Sequence, residues 1–102
     1  CDSYSPAALE MVPVVHERGL PLLDPWASAD GIVDHLRRPG WCFRLSLRDS
    51  WAMPAIVAHA AGRGLRRLGL LAVANGWGRS NEVALRGALG AGRAGLVGVE
   101  WH

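Results

Sequence analysis

The hydrophobic positions of this chain follow two patterns that alternate from the amino end to the carboxyl end. Apolar residues spaced three or four apart are typical of helices, whereas a short continuous apolar run bounded by turn residues is typical of a buried strand. Helical segments are predicted at residues 5–18, 28–36, 51–63 and 80–89, the second of them a short helix or turn. Strands are predicted at residues 20–23, 41–46, 66–73 and 96–101. This α-β-α-β-α-β-α-β order predicts an α/β fold in which parallel sheets pack in three αβα layers.

The predicted core residues lie on the apolar faces of the longer helices. They are Ala8, Leu9, Val12 and Val15 in the first, Met53, Ile56, Val57 and Ala60 in the next, and Val83, Leu85, Ala88 and Leu89 in the last. Ser5 is the predicted N-cap of the first helix, and Gly19 ends it. Pro13 falls inside this helix and predicts a kink or a later start. Ser80 or Asn81 is predicted to open the last helix.

Composition indicates a globular chain that is small for the predicted fold. Half of its 102 residues are hydrophobic and 20% are charged, which argues against disorder. The predicted order opens on a helix and closes on a strand, and a small sheet with open edges is poorly suited to stand alone. The sequence therefore predicts an internal fragment of a larger protein, and the alternative of a complete chain stays open at this point.

Charge and hydropathy argue against two classes of partner. The net charge is +2, and the eleven basic residues, all arginines, are scattered with acidic residues between them. Nucleic-acid binding needs a clustered basic face, so no nucleic-acid partner is predicted. No apolar run approaches the roughly 20 residues that span a membrane.

Cysteines and histidines form no recognisable metal or catalytic pattern in the sequence. Cys1 and Cys42 are far apart without a CxxC pair, and the choice between free thiols and a disulfide is open. The histidines share no face at a spacing typical of ligands, and His16 and His59 are expected to be solvated; the others are His35 and His102. With no Ser-His-Asp set, nucleophile elbow or GxGxxG loop, the sequence predicts no enzyme, no catalytic residue, no metal and no cofactor.

Two of the predicted strands run into turns that carry a tryptophan beside small residues. The first tryptophan turn, residues 24–28, follows the strand at 20–23. The second tryptophan turn, residues 74–78, follows the strand at 66–73. Open α/β sheets bind ligands at the carboxyl edge of their strands. An aromatic ring and small hydrogen-bonding groups at two such turns predict parts of a small-molecule pocket.

Several segments, taken in order, resemble the type 1 periplasmic binding proteins, the leucine/isoleucine/valine-binding class of ABC-transporter receptors. These segments are DSYSPAAL at residues 2–9, PVVHERGLPLLDPWAS at 13–28, WCFR at 41–44, RLGLL at 67–71 and NGWGR at 75–79. The resemblance implies two Rossmann-like lobes that close on a small ligand. Residues 1–44 would be part of lobe 1, residues 45–102 the first part of lobe 2, and residues 43–46 would lie near the hinge.

The resemblance also implies which residues bind the ligand. Ser5, at the start of a helix, would hold the ligand carboxylate together with helix amide groups. Ala27 and Ser28 would hold the charged groups of an amino acid through backbone and hydroxyl. Trp77 matches an aromatic position that packs over the ligand. Trp26 stands where the family has a small residue, and its ring either narrows the pocket or turns to solvent.

The implied function is that of a periplasmic or extracellular solute-binding protein for amino-acid transport. It would bind an amino acid or a similar small polar ligand and have an ABC-transporter permease as its partner. The alternatives are a ligand-sensing regulator or receptor domain of the same fold, or a truncated fragment that no longer binds. Self-association of the fragment, which would supply missing neighbours of the sheet, stays open. Cys1 resembles the lipidated cysteine of a mature bacterial lipoprotein, which implies a lipid anchor, and a boundary of the sequence explains it equally well. Asp24 either reaches a ligand ammonium group or caps its turn.

Overall fold

The computed structural model describes residues 4–90 and 94–102, so the lipid anchor implied by Cys1 lies outside the described residues. The helices are α1 (Ser5–Arg18), α2 (Asp49–Gly62) and α3 (Gly76–Leu89), with a 3₁₀ helix at Asp30–Ile32. The strands are β1 (Leu22–Asp24), β2 (Cys42–Arg44), β3 (Arg67–Ala72) and β4 (Gly95–Trp101). This alternating order with parallel strands confirms the predicted α/β fold class. None of the helices within the described ranges is both long and apolar enough to cross a membrane.

The chain divides into two compact units, each with its own two-stranded parallel sheet. The amino-terminal unit is Cys1–Arg48 and contains β1 paired with β2, while the carboxyl-terminal unit is Asp49–His102 and contains β3 paired with β4. In the first sheet Asp24 lies opposite Arg44, and in the second Ala72 lies opposite Trp101. The assignment of residues 1–44 and 45–102 to two binding lobes stays a prediction.

Helix α1 has the predicted bounds but a different N-cap. Tyr4 occupies the N-cap position, and Ser5 is already helical and buried. The prediction of Ser5 as N-cap is wrong because its hydroxyl bonds to a distant segment instead of to its own helix. The helix continues through Pro13 to Arg18, and Gly19 then ends it with a φ of 61°, a left-handed conformation that favours glycine.

The core of the amino-terminal unit joins α1 to the chain that follows β1. Ala8 of α1 packs with Ala27, Ala29 and Ile32, all of them at most 2% exposed. Leu9, Val33 and Cys42 pack around this cluster. Three of the four central side chains are methyl groups, so the helix and the first tryptophan turn approach each other closely. The turn is therefore part of the core and is held by it.

The core of the carboxyl-terminal unit lies among α2, α3 and one face of the β3–β4 sheet. Val57, Leu85 and Leu89 are buried, and the side chains packed against them are Met53, Leu68, Leu70, Ala88, Ala94 and Leu96. Two of the predicted core residues are exposed. Ile56 is 54% exposed and Val83 is 72% exposed, so the prediction that both point inward is wrong. Helical spacing places apolar residues along one side of a helix but does not show which of them face the core. In α2 and α3 other apolar side chains face the shared core.

Helix α3 begins at Gly76, before the predicted start at Ser80 or Asn81. Asn75 is its N-cap, and the side-chain Oδ1 accepts hydrogen bonds from the N–H groups of Trp77 (2.9 Å) and Gly78 (3.0 Å). The glycines on either side of Trp77 are typical of a loop, so the sequence does not indicate that the first turn of the helix begins there. The cap compensates because it satisfies backbone donors that the first turn leaves without partners.

Candidate functional site

The first tryptophan turn folds around the carboxylate of Asp24. This side chain is 1% exposed, and its Oδ1 accepts hydrogen bonds from the N–H groups of Trp26 (3.1 Å) and Ala27 (2.9 Å). Of the two roles considered for Asp24, the structure therefore shows the turn cap. The other carboxylate oxygen, Oδ2, is buried without a hydrogen-bond partner among the described residues.

Ser5 fixes the end of the same turn. Its Oγ accepts hydrogen bonds from the N–H groups of Ser28 (3.2 Å) and Ala29 (3.3 Å). Ala27 lies between these contacts, is 2% exposed, and accepts a 2.7 Å hydrogen bond from Ser46 Oγ at its carbonyl. The structure thus brings together three of the predicted site residues, Ser5, Ala27 and Ser28, although their role in binding a ligand stays a prediction.

Residues at the end of β2 and just after it complete this region, and the sequence does not predict their contacts. Ser46 bonds to Ala27 as described, and Arg44 Nη1 donates a 2.8 Å hydrogen bond to the Ala29 carbonyl. Arg48 forms ion pairs with Asp30 (3.0 Å) and with Asp34. A signal for these contacts exists in the sequence, because Cys42, Arg44 and Ser46 alternate along one face of the predicted strand at 41–46.

A cavity of about 430 Å³ lies beside the first tryptophan turn. It is lined by Pro25, Trp26, Ser28, Leu45, Ser46 and Leu47. Trp26 is 74% exposed, so its ring turns toward solvent at the cavity wall instead of filling the turn. The cavity lies where β1 and β2 end, the edge at which open α/β sheets bind ligands.

The second tryptophan turn borders a smaller cavity of about 250 Å³. Its lining residues are Leu70, Leu71, Ala72, Val73, Trp77, Gly78, Asn81 and His102. Trp77 is 41% exposed, and its carbonyl accepts a 2.9 Å hydrogen bond from Asn81 Nδ2. His102 follows β4 and pairs with the backbone of Ala72 and Ala74, which places it at the carboxyl end of the sheet. No sequence pattern indicates His102, since only strand pairing brings it beside Trp77.

The structure also joins two histidines and Cys42, which the sequence spacing did not predict. Donor atoms of His16, His35 and Cys42 all lie within 4.8 Å of one another. His16 is half-buried and hydrogen-bonded to Val12 and Trp41, so the expectation that it is solvated is wrong. Cys42 is a free thiol. These residues come from separate elements, and only the tertiary fold of the amino-terminal unit brings them together.

Comparison with known proteins supports the fold. No protein-family model matches the sequence, and a comparison with curated protein sequences finds no match. The structure is similar to a solute-binding protein of an ABC transporter from Rhodopseudomonas palustris BisB5, solved in complex with 3,4-dihydroxybenzoic acid. The TM-score is 0.79 at 21% sequence identity, over 97% of this chain and 26% of that protein.

This similarity confirms the α/β fold, which matches part of the fold of that solute-binding protein. The similar protein is described as a solute-binding protein. This chain spans about a quarter (26%) of that protein's length. Transport, ligand and partner are therefore matters for proposal.

Proposed function

We propose that this chain is part of an ABC-transporter solute-binding protein that binds a small ligand carrying a carboxylate. The observation that carries the proposal is a structural similarity that extends over 97% of the chain. The similar structure is a solute-binding protein solved with an aromatic acid. The cavity beside the first tryptophan turn supports it, because that cavity lies at the carboxyl ends of β1 and β2.

The carboxylate of the ligand would bind at the polar side of the first tryptophan turn. Ser5 Oγ accepts two backbone hydrogen bonds, and these leave its hydroxyl proton to be donated to an anion. Ser28 lines the cavity and would provide a second contact. Ala27 would support the site through its backbone. Its N–H donates to Asp24 and its carbonyl accepts from Ser46, and these two hydrogen bonds hold the turn in place.

The apolar part of the ligand would pack on tryptophan. Trp26 is exposed at the wall of the cavity in the amino-terminal unit, and Trp77 is partly exposed at the wall of a separate cavity in the carboxyl-terminal unit. An indole face suits an aliphatic amino-acid side chain and an aromatic ring equally well. We therefore propose an amino acid or an aromatic acid as the ligand class, the second favoured by the 3,4-dihydroxybenzoic acid of the similar protein.

The setting of this function follows from the same class of protein. The proposed partner is the permease of an ABC transporter, and the proposed location is the periplasm or the cell exterior. Both depend on the solute-binding assignment and would be abandoned with it.

Thermal unfolding and calorimetric titration of the chain test the proposal. A ligand that binds only the folded state stabilises it by about 2.7 kcal/mol at a hundred times its dissociation constant, which raises the melting temperature. We expect this rise with 3,4-dihydroxybenzoate or with one of the amino acids. The matched control ligand is 3,4-dihydroxybenzyl alcohol, which lacks the carboxylate and should have a much smaller effect.

Two variants locate the binding. Trp26→Ala should weaken binding, because it removes the ring at the cavity wall. Trp51→Ala is the matched control, since Trp51 is similarly exposed at 62% but lies on α2 and lines neither tryptophan-turn cavity. If no acid in the panel changes the melting temperature or the heat of mixing, the proposal is wrong. If both variants weaken ligand binding equally, the ligand does not bind at the first tryptophan turn.

A further inference from the structure

Three side chains with metal-binding donor atoms meet in the amino-terminal unit, away from the first tryptophan turn. His16 comes from the last turn of α1, His35 from the segment after the 3₁₀ helix, and Cys42 from the start of β2. One donor atom from each lies within 4.8 Å of the other two. All three side chains are half-buried, so the cluster is neither fully exposed to solvent nor fully buried in the core.

His16 is oriented as a metal-binding histidine is oriented. Its Nδ1 lies 2.7 Å from the Val12 carbonyl, which can only accept, so Nδ1 carries the proton. Nε2 then holds the lone pair and accepts a 3.1 Å hydrogen bond from the N–H of Trp41. A backbone carbonyl that fixes the other ring nitrogen is the usual support for an imidazole ligand.

His35 provides the observation that points to a ligand. Its ring meets the ring of His16 edge to face, with centroids 4.6 Å apart. Both ring nitrogens are shielded from solvent, and neither has a hydrogen-bond partner within the part of the chain that the structure describes. An imidazole always has a donor or a lone pair to satisfy on each nitrogen, and an unsatisfied one calls for an explanation such as a bound ion.

The charges near His35 favour the neutral ring. Burial, and after it the electrostatic interactions with His16, Arg38 and Arg37, lower the pKa of His35. The neutral form is the one that ligates a metal. The two arginines also oppose a cation, but both are exposed, where salt screens their charge.

Cys42 supplies the third donor, with a negative charge nearby. Burial, and then the charge of Asp24, raise the pKa of the Cys42 thiol. The same buried carboxylate has an oxygen without a hydrogen-bond partner among the described residues. Its field attracts a cation, and a metal ion at the cluster would release the thiol proton to solvent and bind the thiolate.

We propose that His16 Nε2, one ring nitrogen of His35 and Cys42 Sγ bind a single thiophilic transition-metal ion, with Zn²⁺ the best match to this donor set. Two imidazoles and one thiolate are ligands that zinc prefers, and water would take the fourth tetrahedral position. Tetrahedral zinc bond lengths place such donors roughly 3.3–3.6 Å apart, so donor atoms that lie within 4.8 Å of one another have to contract by up to about 1.5 Å.

Two features make that contraction feasible. His35 lies between the 3₁₀ helix and β2, outside regular secondary structure, and a small shift there breaks no helix or ladder hydrogen bond. The Trp41 N–H must release His16 Nε2, and Trp41 borders an open groove of about 320 Å³ where water can replace it. His16 lines the same groove, which gives the ion a route from solvent.

Titration with Co²⁺, a spectroscopic probe for zinc sites, tests the proposal on the full chain. One equivalent should produce the visible bands of tetrahedral cobalt and a sulfur-to-cobalt charge-transfer band, and Zn²⁺ should displace it. Cys42→Ser should abolish the charge-transfer band and weaken Zn²⁺ binding by at least about tenfold, and His35→Ala should weaken it similarly. His35 is in a half-exposed segment, so this variant is expected to fold, and circular dichroism checks that it does.

The controls separate this cluster from other thiols and imidazoles of the chain. Cys1→Ser and His59→Ala remove the second cysteine and an exposed histidine of α2, and both should leave the bands and the affinity unchanged. The proposal is overturned if no charge-transfer band forms. It is overturned equally if the band survives Cys42→Ser or disappears in Cys1→Ser. Because none of these measurements uses an organic ligand, their outcome is independent of the proposed transport function.

Discussion

The two tryptophan turns use the same local hydrogen-bonding pattern and differ in what surrounds it. In each, a side chain near the carboxyl end of a strand accepts hydrogen bonds from the N–H groups two and three positions later. The acceptor is Asp24, the last residue of β1, in the first turn and Asn75, three residues after β3, in the second. The residue two positions on is a tryptophan in both. The same short motif therefore turns the chain at the carboxyl edge of both sheets.

Beyond that motif the two turns diverge. After Asp24 the chain continues into the core, and Ser5 and Ser46 hold it from other elements. After Asn75 it enters α3 directly, and the acceptor is the N-cap of that helix. The first turn depends on tertiary contacts around a buried carboxylate, whereas the second depends on a local cap with a neutral amide. The comparison shows that a similar sequence motif can serve as a core element in one unit and a helix start in the other.

The largest expected effect comes from removing the acceptor of the first turn. Asp24→Ala leaves the N–H groups of Trp26 and Ala27 without their partner inside the protein, and we expect the free energy of unfolding to fall by about 3 kcal/mol. Urea denaturation measures it. Asp24→Asn keeps the acceptor oxygen and should lose far less. If both variants lose the same amount, the charge of Asp24 and not its geometry stabilises the turn.

A smaller loss is expected where the second turn packs most closely. A Cβ at Gly78 would lie 2.0 Å from the Val73 carbonyl oxygen and 3.1 Å from the Trp101 ring. Backbone cannot yield as a flexible side chain can, so Gly78→Ala should cost about 2 kcal/mol in unfolding free energy. Gly87→Ala is the matched control in the same helix, because a Cβ there meets nothing within 4 Å. It should be stabilising by up to about 1 kcal/mol, and a stabilised Gly78→Ala would contradict the close approach.

The smallest of these effects is expected at the second acceptor. Asn75→Ala removes a half-buried N-cap, whose typical contribution is about 1 kcal/mol, and helicity at the start of α3 should decrease in step. Asn75→Asp should restore the cap and complement the helix dipole. A loss as large as that of Asp24→Ala would show that the second turn is also held by tertiary structure, and the contrast between the turns would disappear.

Much of the fold could be predicted because local signals coincide with it. Pro6 and Gly19 frame α1, and the apolar runs locate the strands within a few residues. The start of α3 was missed because Gly76 and Gly78 are poor helix formers, and only the cap and the close packing at Gly78 justify them. Val83 was misplaced because helical spacing identifies an apolar stripe without showing which neighbour covers it.

The site regions were harder to predict, since they depend on partners distant in the sequence. Trp26 and Trp77 could be placed at strand ends from the pattern alone, but the exposed position of Trp26 follows from Ala27 and Ala29 occupying the core beneath it. The His16–Cys42 cluster could not be predicted. Its histidines and its thiol lie on three elements, and no spacing along one helix or strand relates them.

The long-range hydrogen bonds of Ser5 have a consequence for the order of folding. They join positions 23 and 24 residues apart, so the entropy of closing a long loop must be overcome before they form. The bonds at Asn75 close only two or three residues. Amide hydrogens of Ser28 and Ala29 should then exchange with solvent only when the amino-terminal unit opens as a whole. Those of Trp77 and Gly78 should exchange whenever the first turn of α3 frays.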